Sequence, residues 1–283
     1  EHAPSGYAAM TEIADTASAV YENPYALSVG VMASNDIQNC TLKGENPFEK
    51  QNDLYSKILG REVMLYTKIE AAKTEDGESL KQWSVTLPAG SIGYLYINKD
   101  TSAGSYWPVA LTIDQRSINN EAWRFDNNIR QIADASDAPS QHTVSIGVAE
   151  GYTDMPQDNE PVFYALNLDV FEQIISELKT SEFIPTVFED GRIEGEYTAK
   201  DDGNLLLSVP YDEGWNVTVN GTAAELTPAA DKGLSSLNMQ KGANRIVMTY
   251  KTPGALAGLA VSLATAAALV AAGLFTRHKK SRR

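Results

Sequence analysis

The stretch NLLLSVPYDEGWNVTVNG, residues 204–221, decides how the second half of the chain folds. Leu205 and Leu207 alternate with Leu206, so both faces of this strand carry apolar side chains. The following proline removes a backbone donor and ends the strand. From Trp215 the sequence alternates again as far as Asn-Gly, which is typical of a type I′ hairpin turn. The pattern predicts two strands joined by a turn at an aromatic corner, with the second strand continuing into a hairpin.

This corner has two interpretations. In the structural one, which we favour, Trp215 caps an apolar core and Tyr211 lies at its rim. In the functional one, both rings stack on a sugar while Asp212 or Glu213 binds its hydroxyl groups. The segments SYWPV and EAWRF supply three more candidates for ligand contact because their flanks alternate less regularly, and these are Tyr106, Trp107 and Trp123.

Short alternating runs separated by Gly, Pro, Asn or Asp clusters continue through most of the chain. They predict a mainly β fold of two antiparallel β-sandwich-like domains, a first domain at 1–166 and a membrane-proximal sandwich at 183–252. In the second sandwich four dipeptides occupy positions expected of hairpin turns, and these are Asp190-Gly191, Asp202-Gly203, Asn220-Gly221 and Lys241-Gly242.

Two helices are predicted between the strands. The first, near 47–59, begins after the N-cap candidate Asn46 and stops at Gly60. The second, at 167–182, has apolar residues on one helical face and bridges the two domains, with Asp169 as its predicted cap.

The C-terminal segment ALAGLAVSLATAAALVAAGLF, residues 255–275, is uncharged, and about 20 apolar residues suffice to cross a bilayer. We therefore predict one transmembrane helix at 253–276. The tail at 277–283 has five basic residues and no acidic ones, so the positive-inside rule predicts a cytoplasmic C-terminus in the cell membrane and an extracytoplasmic bulk. Small residues such as Gly254 and Gly258 favour packing against other transmembrane helices.

The rest of the chain is acidic. Apart from the tail it has 18 Lys and Arg against 37 Asp and Glu, a formal charge of −19, which argues against nucleic acid as a partner. The single cysteine, Cys40, excludes an internal disulfide framework and any CxxC motif. The chain starts at Glu1 without the pattern of a signal peptide, so we expect further sequence upstream.

Residues with catalytic or metal-binding patterns are scarce. His142 is the one histidine between the N-terminal residues and the tail, and it lies in an apparent strand. The acidic loops DASDAPS and DMPQDNE lack the spacing and glycine of an EF-hand, so calcium binding there is the less favoured alternative. We predict no catalytic residue, no metal site and no cofactor in this chain.

Four segments together closely resemble the C-terminal part of the YfhO family of bacterial membrane proteins. They are YENPYALSVGVM, NPFEKQNDLYSKILG, VFYALNLDVFEQIISELK and the stretch from GEYTAKDDGNLLLSVPYDEGWNVTVNG to the terminal helix and basic tail. The resemblance implies a polytopic membrane protein with a GT-C type of glycosyltransferase fold. It also implies transfer of sugars from a polyprenyl-phosphate donor to a cell-surface polymer such as the lipoteichoic acid of Gram-positive bacteria. In that class the catalytic carboxylate belongs to the membrane-embedded part, so this region would be an accessory domain.

An alternative from another class is a non-enzymatic carbohydrate-binding or adhesion module on the cell surface, held by a single span. The two hypotheses differ in what precedes the chain. The first expects many hydrophobic spans upstream, and the second expects one signal peptide.

Overall fold

The computed structural model describes residues 8–9, 21–97, 109–118, 129–148 and 160–281. Two short strands, β1 (Ala8–Ala9) and β2 (Tyr21–Glu22), pair with each other. A third strand, β3 (Gly30–Ala33), precedes a 3-10 turn at Asn35–Ile37 and the first helix, α1 (Pro47–Leu59).

The ends of α1 confirm the signals in its sequence. The Asn46 side-chain oxygen accepts hydrogen bonds from the backbone N–H groups of Phe48 and Glu49, at 3.0 and 3.1 Å. Pro47 occupies the first turn, where its missing N–H costs no hydrogen bond. Gly60 ends the helix with φ +64°, a left-handed conformation that glycine adopts readily.

The first sandwich consists of two antiparallel sheets that enclose one apolar core. One sheet has the order β10-β7-β12-β4 and the other β5-β6-β11-β8-β9. Trp83, Leu95 and Val144 are among the core side chains that these sheets contribute. The strands are β4 (Tyr66–Ile69), β5 (Ala72–Asp76), β6 (Leu80–Leu87), β7 (Ser91–Ile97), β8 (Val109–Ile113), β9 (Arg116–Ile118), β10 (Ile129–Ala133), β11 (Ser140–Val148) and β12 (Pro161–Asn167).

The second helix, α2 (Leu168–Lys179), follows β12 without a loop. Its N-cap is Asn167, whose side-chain oxygen accepts a hydrogen bond from the Val170 N–H at 3.1 Å. The prediction that Asp169 caps this helix is wrong. Asn167 still pairs with Ser91 as the last residue of β12, so the end of the strand fixes where the helix starts. Asp169 lies in the first turn, where a negative charge favours the helix dipole.

The second sandwich also has two antiparallel sheets, with the orders β13-β3-β16-β20-β19 and β14-β15-β21-β17-β18. Its core includes Leu205, Leu237, Ile246 and Met248, all fully buried. The strands are β13 (Glu182–Phe183), β14 (Val187–Glu189), β15 (Arg192–Ala199), β16 (Gly203–Leu207), β17 (Trp215–Val219), β18 (Thr222–Ala224), β19 (Leu226–Ala229), β20 (Leu234–Met239) and β21 (Gly242–Tyr250).

Two of the four predicted hairpin turns are confirmed. Asp190-Gly191 joins β14 to β15, and Asn220-Gly221 joins β17 to β18 with φ values of +52° and +78°, as a type I′ turn requires. The other two predictions are wrong. Asp202-Gly203 joins β15 to β16, and Lys241-Gly242 joins β20 to β21. In each case the two strands belong to different sheets and do not pair with each other. The same turn residues serve both kinds of connection.

A middle core joins the sandwiches through the helices. Leu206 of β16 turns away from the second sandwich and packs with Val31 of β3, Ile58 of α1 and Leu178 of α2, and Leu166 at the end of β12 belongs to the same cluster. β3 is paired with β16 even though it lies within the range 1–166 predicted for the first domain. The sequence predicts that β16 is buried on one face and partly covered on the other. In the structure the second face is buried as well, since Leu205, Leu206 and Leu207 are all at most 5% exposed.

The last element is the helix α3 (Ala255–Ser281). Its segment Ala255–Ala272 has a mean hydropathy of 2.1 and is not buried against the rest of the described chain, so by length and composition it is a candidate membrane span. The helix continues without a break into the basic tail.

Candidate functional site

The aromatic corner at the start of β17 is a tight turn held by its own acidic residue. The Asp212 side chain accepts a hydrogen bond from the Gly214 N–H at 2.7 Å, and its backbone carbonyl accepts one from the Trp215 N–H at 3.3 Å. This arrangement is an Asx turn, in which the carboxylate replaces a backbone acceptor. One oxygen of Asp212 is therefore committed to the turn.

The aromatic rings of this corner pack on the second sandwich. Trp215 lies edge-on to Tyr250, with ring centroids 5.2 Å apart and an interplanar angle of 64°. Tyr211 and Trp215 are both half-buried against the sandwich core. Burial raises the pKa of Tyr250, and its hydrogen bond to Asp212 raises that pKa further. Each of the three predicted residues in this corner thus has a structural contact, and sugar binding by them stays a prediction.

The other predicted ligand residues cannot be placed. Tyr106, Trp107 and Trp123 lie outside the described residues. Among the residues that are described, no group of three or more His, Cys, Asp or Glu side chains is arranged to hold a metal ion. In the acidic loops, the Asp134 carboxylate accepts a hydrogen bond from Gln131, and Glu160 forms an ion pair with Lys73.

A Ser–His–Asp chain of hydrogen bonds, which the sequence did not reveal, lies on the first sandwich. His142 Nε2 is 2.8 Å from the Ser140 hydroxyl, and His142 Nδ1 is 2.7 Å from Asp114 Oδ2. The order and distances match those of a nucleophile, a base and an orienting acid. The second oxygen of Asp114, however, accepts the Thr143 N–H at 2.8 Å and so ties the β8–β9 turn to β11.

This chain of hydrogen bonds is best explained as a clamp. Burial opposes ionisation of Asp114, but its hydrogen bonds from His142 and Thr143 outweigh burial and lower the pKa of this carboxyl group. Asp114 itself adopts φ +49° in the turn, a conformation that its side chain helps to hold. Three cavities in the described part of the chain are lined by other residues, and Ser140 opens into none of them.

A more buried hydrogen-bond network holds α1 against the first sandwich. The Tyr164 hydroxyl donates to Glu49 Oε1 at 2.7 Å and accepts from Asn46 Nδ2 at 2.9 Å. Burial and the bond to Glu49 raise the pKa of Tyr164 to about 12. The Glu45 N–H and the Tyr164 hydroxyl lower the pKa of Glu49. With all its members satisfied, the network has a structural role.

The arrangement best suited to bind a ligand is a polar groove of about 660 Å³ at one end of the second sandwich. It lies where β16 begins, β20 ends and the β17–β18 hairpin turns. We call it the amide groove, because side-chain amides dominate its polar lining. Its polar residues are Asn35, Asp202, Asn220, Thr222, Asn238, Gln240 and Asn244, and its apolar ones include Val219 and Met239.

The amides of this groove fall into two groups. Asn244 donates to the carbonyls of Gln240 and Gly242, both at 2.8 Å, and the Asn220 side chain accepts the Arg245 N–H at 2.8 Å. These amides hold the loops in place. Asn238 and Gln240 are exposed, and their side chains form no hydrogen bond with the described residues. They are free to bind a ligand.

The sequence contains a signal for this pair that was not used. Asn238 lies in β20 and Gln240 directly follows it, a two-residue spacing that favours the same side of an extended chain. Their position opposite the Asn220-Gly221 hairpin depends on sheet packing. The amide groove also lies far from the candidate span, because β21 begins beside it at Gly242 and ends at Tyr250, about 30 Å away along an extended strand.

Comparison with known proteins gives one relative and several weak structural similarities. The relative is the protein named Uncharacterized protein YfhO of Bacillus subtilis (strain 168), which is 25% identical over 142 residues. The match covers 50% of this chain and 16% of the Bacillus protein, so the chain corresponds to a small part of its length.

Two solved structures illustrate the structural similarities. A cycloisomaltooligosaccharide glucanotransferase of Paenibacillus sp., complexed with cycloisomaltoheptaose, is 9% identical, covers 64% of this chain and 44% of its own, and has a TM-score of 0.21. A salicylate 1,2-dioxygenase of Pseudaminobacter salicylatoxidans is 8% identical, covers 64% of this chain and 76% of its own, and has a TM-score of 0.13. Neither similarity is close enough to support an argument about fold or function.

The family comparison is far more extensive. A model of the family described as Bacterial membrane protein YfhO matches residues 3–262, which include both sandwiches, both bridging helices and the first part of α3. The match agrees with the resemblance carried by the four sequence segments. The chain therefore belongs to the YfhO family of bacterial membrane proteins.

Proposed function

We propose that this chain is the extracytoplasmic accessory domain of a polytopic membrane glycosyltransferase, and that it holds a partly glycosylated acceptor polymer by the sugars already attached to it. The acceptor would be a cell-surface glycopolymer such as lipoteichoic acid, and the donor a polyprenyl-phosphate sugar. Membership of the YfhO family and the candidate span support a place at the membrane. The basic tail after the span supports an outer position for the sandwiches.

The observation that carries this proposal is the pair of free amides in the amide groove. A side-chain amide offers two donors and an acceptor, which match the hydroxyl groups of a sugar. Asn238 and Gln240 present such groups near the partly exposed apolar side chain of Val219, on which the C–H face of a sugar ring can rest. A volume of about 660 Å³ is in the range of small-molecule sites.

The charge of the chain favours recognition of sugar over phosphate. The residues before the tail have a formal charge of −19, which repels the phosphate groups of a teichoic acid. Of the lining residues only Asp202 is charged, and its Oδ1 accepts the Lys241 N–H at 2.7 Å. A mostly neutral groove on an acidic protein would bind the sugar substituents of such a polymer and leave its phosphates in solvent.

The test is binding of the full chain, reconstituted in nanodiscs, to glycosylated and sugar-free lipoteichoic acid. We expect saturable binding to the glycosylated polymer only. The double variant Asn238→Ala, Gln240→Ala removes two hydrogen-bonding groups and should weaken binding at least tenfold, since each bond contributes about 1 kcal/mol. Gln51→Ala, which removes an exposed amide on α1, is the matched control and should bind normally.

Two outcomes contradict the proposal. Equal binding to the sugar-free polymer would show that the sugar is not recognised, and unchanged affinity in the double variant would show that the amide groove is not the site. The alternative function, a surface carbohydrate-binding module, predicts the same binding. It differs in that the gene would encode one signal peptide upstream of Glu1 instead of many spans.

A further inference from the structure

The end of the second sandwich opposite the amide groove lies next to the candidate span. Trp215 and Tyr250 are paired as the last residues of the ladder between β17 and β21. Only Lys251 to Gly254 separate Tyr250 from α3, and the Ala255 N–H donates to the Thr252 carbonyl at 3.2 Å, so part of this connection is already a turn. Tyr250 therefore lies within about 14 Å of the first residue of the helix.

The turns at this end are fixed to the connection itself. The Lys251 N–H donates to the Gly214 carbonyl at 2.9 Å, and the Tyr250 N–H donates to the Gly191 carbonyl at 2.8 Å. A Cβ at Gly214 would lie 2.7 Å from the Lys251 carbonyl oxygen, so the turn touches the chain where it leaves the sandwich. The aromatic corner and the start of the helix are thus held close together.

A large exposed aromatic residue lies at the same end. Phe188 of the edge strand β14 is 66% exposed. Phe188 pairs with Ile193, and Ile193 pairs with Met248 of β21. Met248 is two residues before Tyr250, so Phe188 lies close to this end of the sheet. Its ring adds a large exposed apolar surface to this end of the domain.

We propose that this end of the second sandwich, with Tyr211, Trp215, Tyr250 and Phe188, rests in the headgroup layer of the bilayer that α3 enters. The headgroup region is about 5–8 Å thick on each side of the hydrocarbon, and Trp and Tyr concentrate there because they combine an apolar ring with a polar tip. Continuity with the span determines the partner, since only Lys251 to Gly254 join this end to α3. The inference does not depend on any sugar being bound.

The contact is apolar and not electrostatic. Lys232 and Lys251 are exposed at this end, but so are Glu189, Asp190 and Glu213, so these residues give no excess of positive charge. Attraction to anionic lipid would need such an excess. We therefore expect the contact to persist when salt is raised from about 0.1 to 1 M, a range that screens surface charges almost fully.

The first test uses the full chain in nanodiscs that contain lipids brominated near the headgroup, with tryptophan fluorescence as the readout. The chain has four tryptophans. We expect brominated lipid to quench part of the emission, and Trp215→Phe, which keeps an aromatic ring against Tyr250, to lower that quenching. Trp83→Phe, in the buried core of the first sandwich, is the matched control and should leave it unchanged.

The second test places a nitroxide label at Phe188→Cys or, as a control, at Met64→Cys, each in a Cys40→Ala background. Met64 is 56% exposed and belongs to the connection between α1 and β4. The label at 188 should be shielded from a water-soluble relaxation reagent and accessible to oxygen, whereas the label at 64 should show the reverse. Equal shielding of the two labels, or quenching that Trp215→Phe leaves unchanged, overturns the proposal.

Discussion

The two ends of the second sandwich are built from the same strands but are finished by different side chains. At the end beside the candidate span, the Asp212 turn, Trp215 and Tyr250 close over the core. The Trp215 and Tyr250 rings pack on each other, and Asp212 bonds with the Gly214 N–H and with Tyr250. At the far end, Asn220 and Asn244 hold the loops, while Asn238 and Gln240 remain free. The aromatic end is the one that a sequence draws attention to, yet the amide end has the open, unpaired groups. A ligand site needs groups that folding has not already used.

The two ends should differ most in the stability lost on a glycine-to-alanine substitution, because only the end beside the span lacks room for the added methyl group. Gly214→Ala would place a Cβ 2.5 Å from Tyr250 Cε2 and 2.7 Å from the Lys251 carbonyl oxygen. The backbone atom has little freedom to move, so we expect a loss of about 3 kcal/mol in the free energy of unfolding. Gly221→Ala at the far end meets nothing within 4 Å and suffers only from its φ of +78°, at about 1 kcal/mol.

Chemical denaturation of the two variants measures this difference. Equal losses would contradict the packed turn beside the span. A loss at Gly221 larger than that at Gly214 would show that the far end is the more constrained one.

The next largest difference is in the stability lost when an aromatic side chain at one end and an amide side chain at the other are truncated. Trp215→Ala should lower the free energy of unfolding by about 2 kcal/mol, less than the roughly 3–5 kcal/mol of a fully buried ring, because Trp215 is half-buried. Asn238→Ala should change it by less than about 0.5 kcal/mol, since its exposed side chain makes no internal hydrogen bond. Thermal unfolding of both variants checks the pair, and a destabilised Asn238→Ala would give that amide a structural role.

The smallest effect is a dependence on alkaline pH that belongs to the aromatic end. The folded protein raises the pKa of Tyr250 through burial and the bond to Asp212, whereas the unfolded chain ionises near pH 10. The stability from this shift is complete below about pH 10 and is lost as pH rises through the folded pKa. Tyr250→Phe should therefore lose less stability than the parent protein between about pH 9 and 11. Parallel curves for the two proteins would indicate that the shift is absent.

Features that depend on neighbours in sequence were predicted well. Asn46, Pro47 and Gly60 set the ends of α1, and Asn220-Gly221 sets the type I′ turn, because each acts through backbone groups a few residues away. The prediction of Asp169 as the N-cap of α2 failed for a related reason. Aspartate and asparagine are equally good caps, and the end of β12 selected Asn167.

The candidate site was much harder to predict. Asp202, Asn220 and Asn238 lie far apart in the sequence, and they meet only because the 202–203 and 241–242 connections cross between the sheets. If those connections were hairpins within one sheet, these three residues would lie at separate turns. The Ser140–His142–Asp114 clamp was missed in the same way, because the register of β8 against β11 brings Asp114 to His142.

By itself the sequence determined the kinds of elements, the apolar C-terminal helix and the apolar side chains on both faces of β16, since periodicity and turn chemistry are local properties. The tertiary structure decided which strands pair, that β3 joins β16 of the second sandwich, and which polar side chains folding leaves free. Long-range pairing depends on which apolar faces can be buried together, and no single segment contains that information. The same packing satisfies Asp212 at one end of the sandwich and leaves Asn238 exposed at the other.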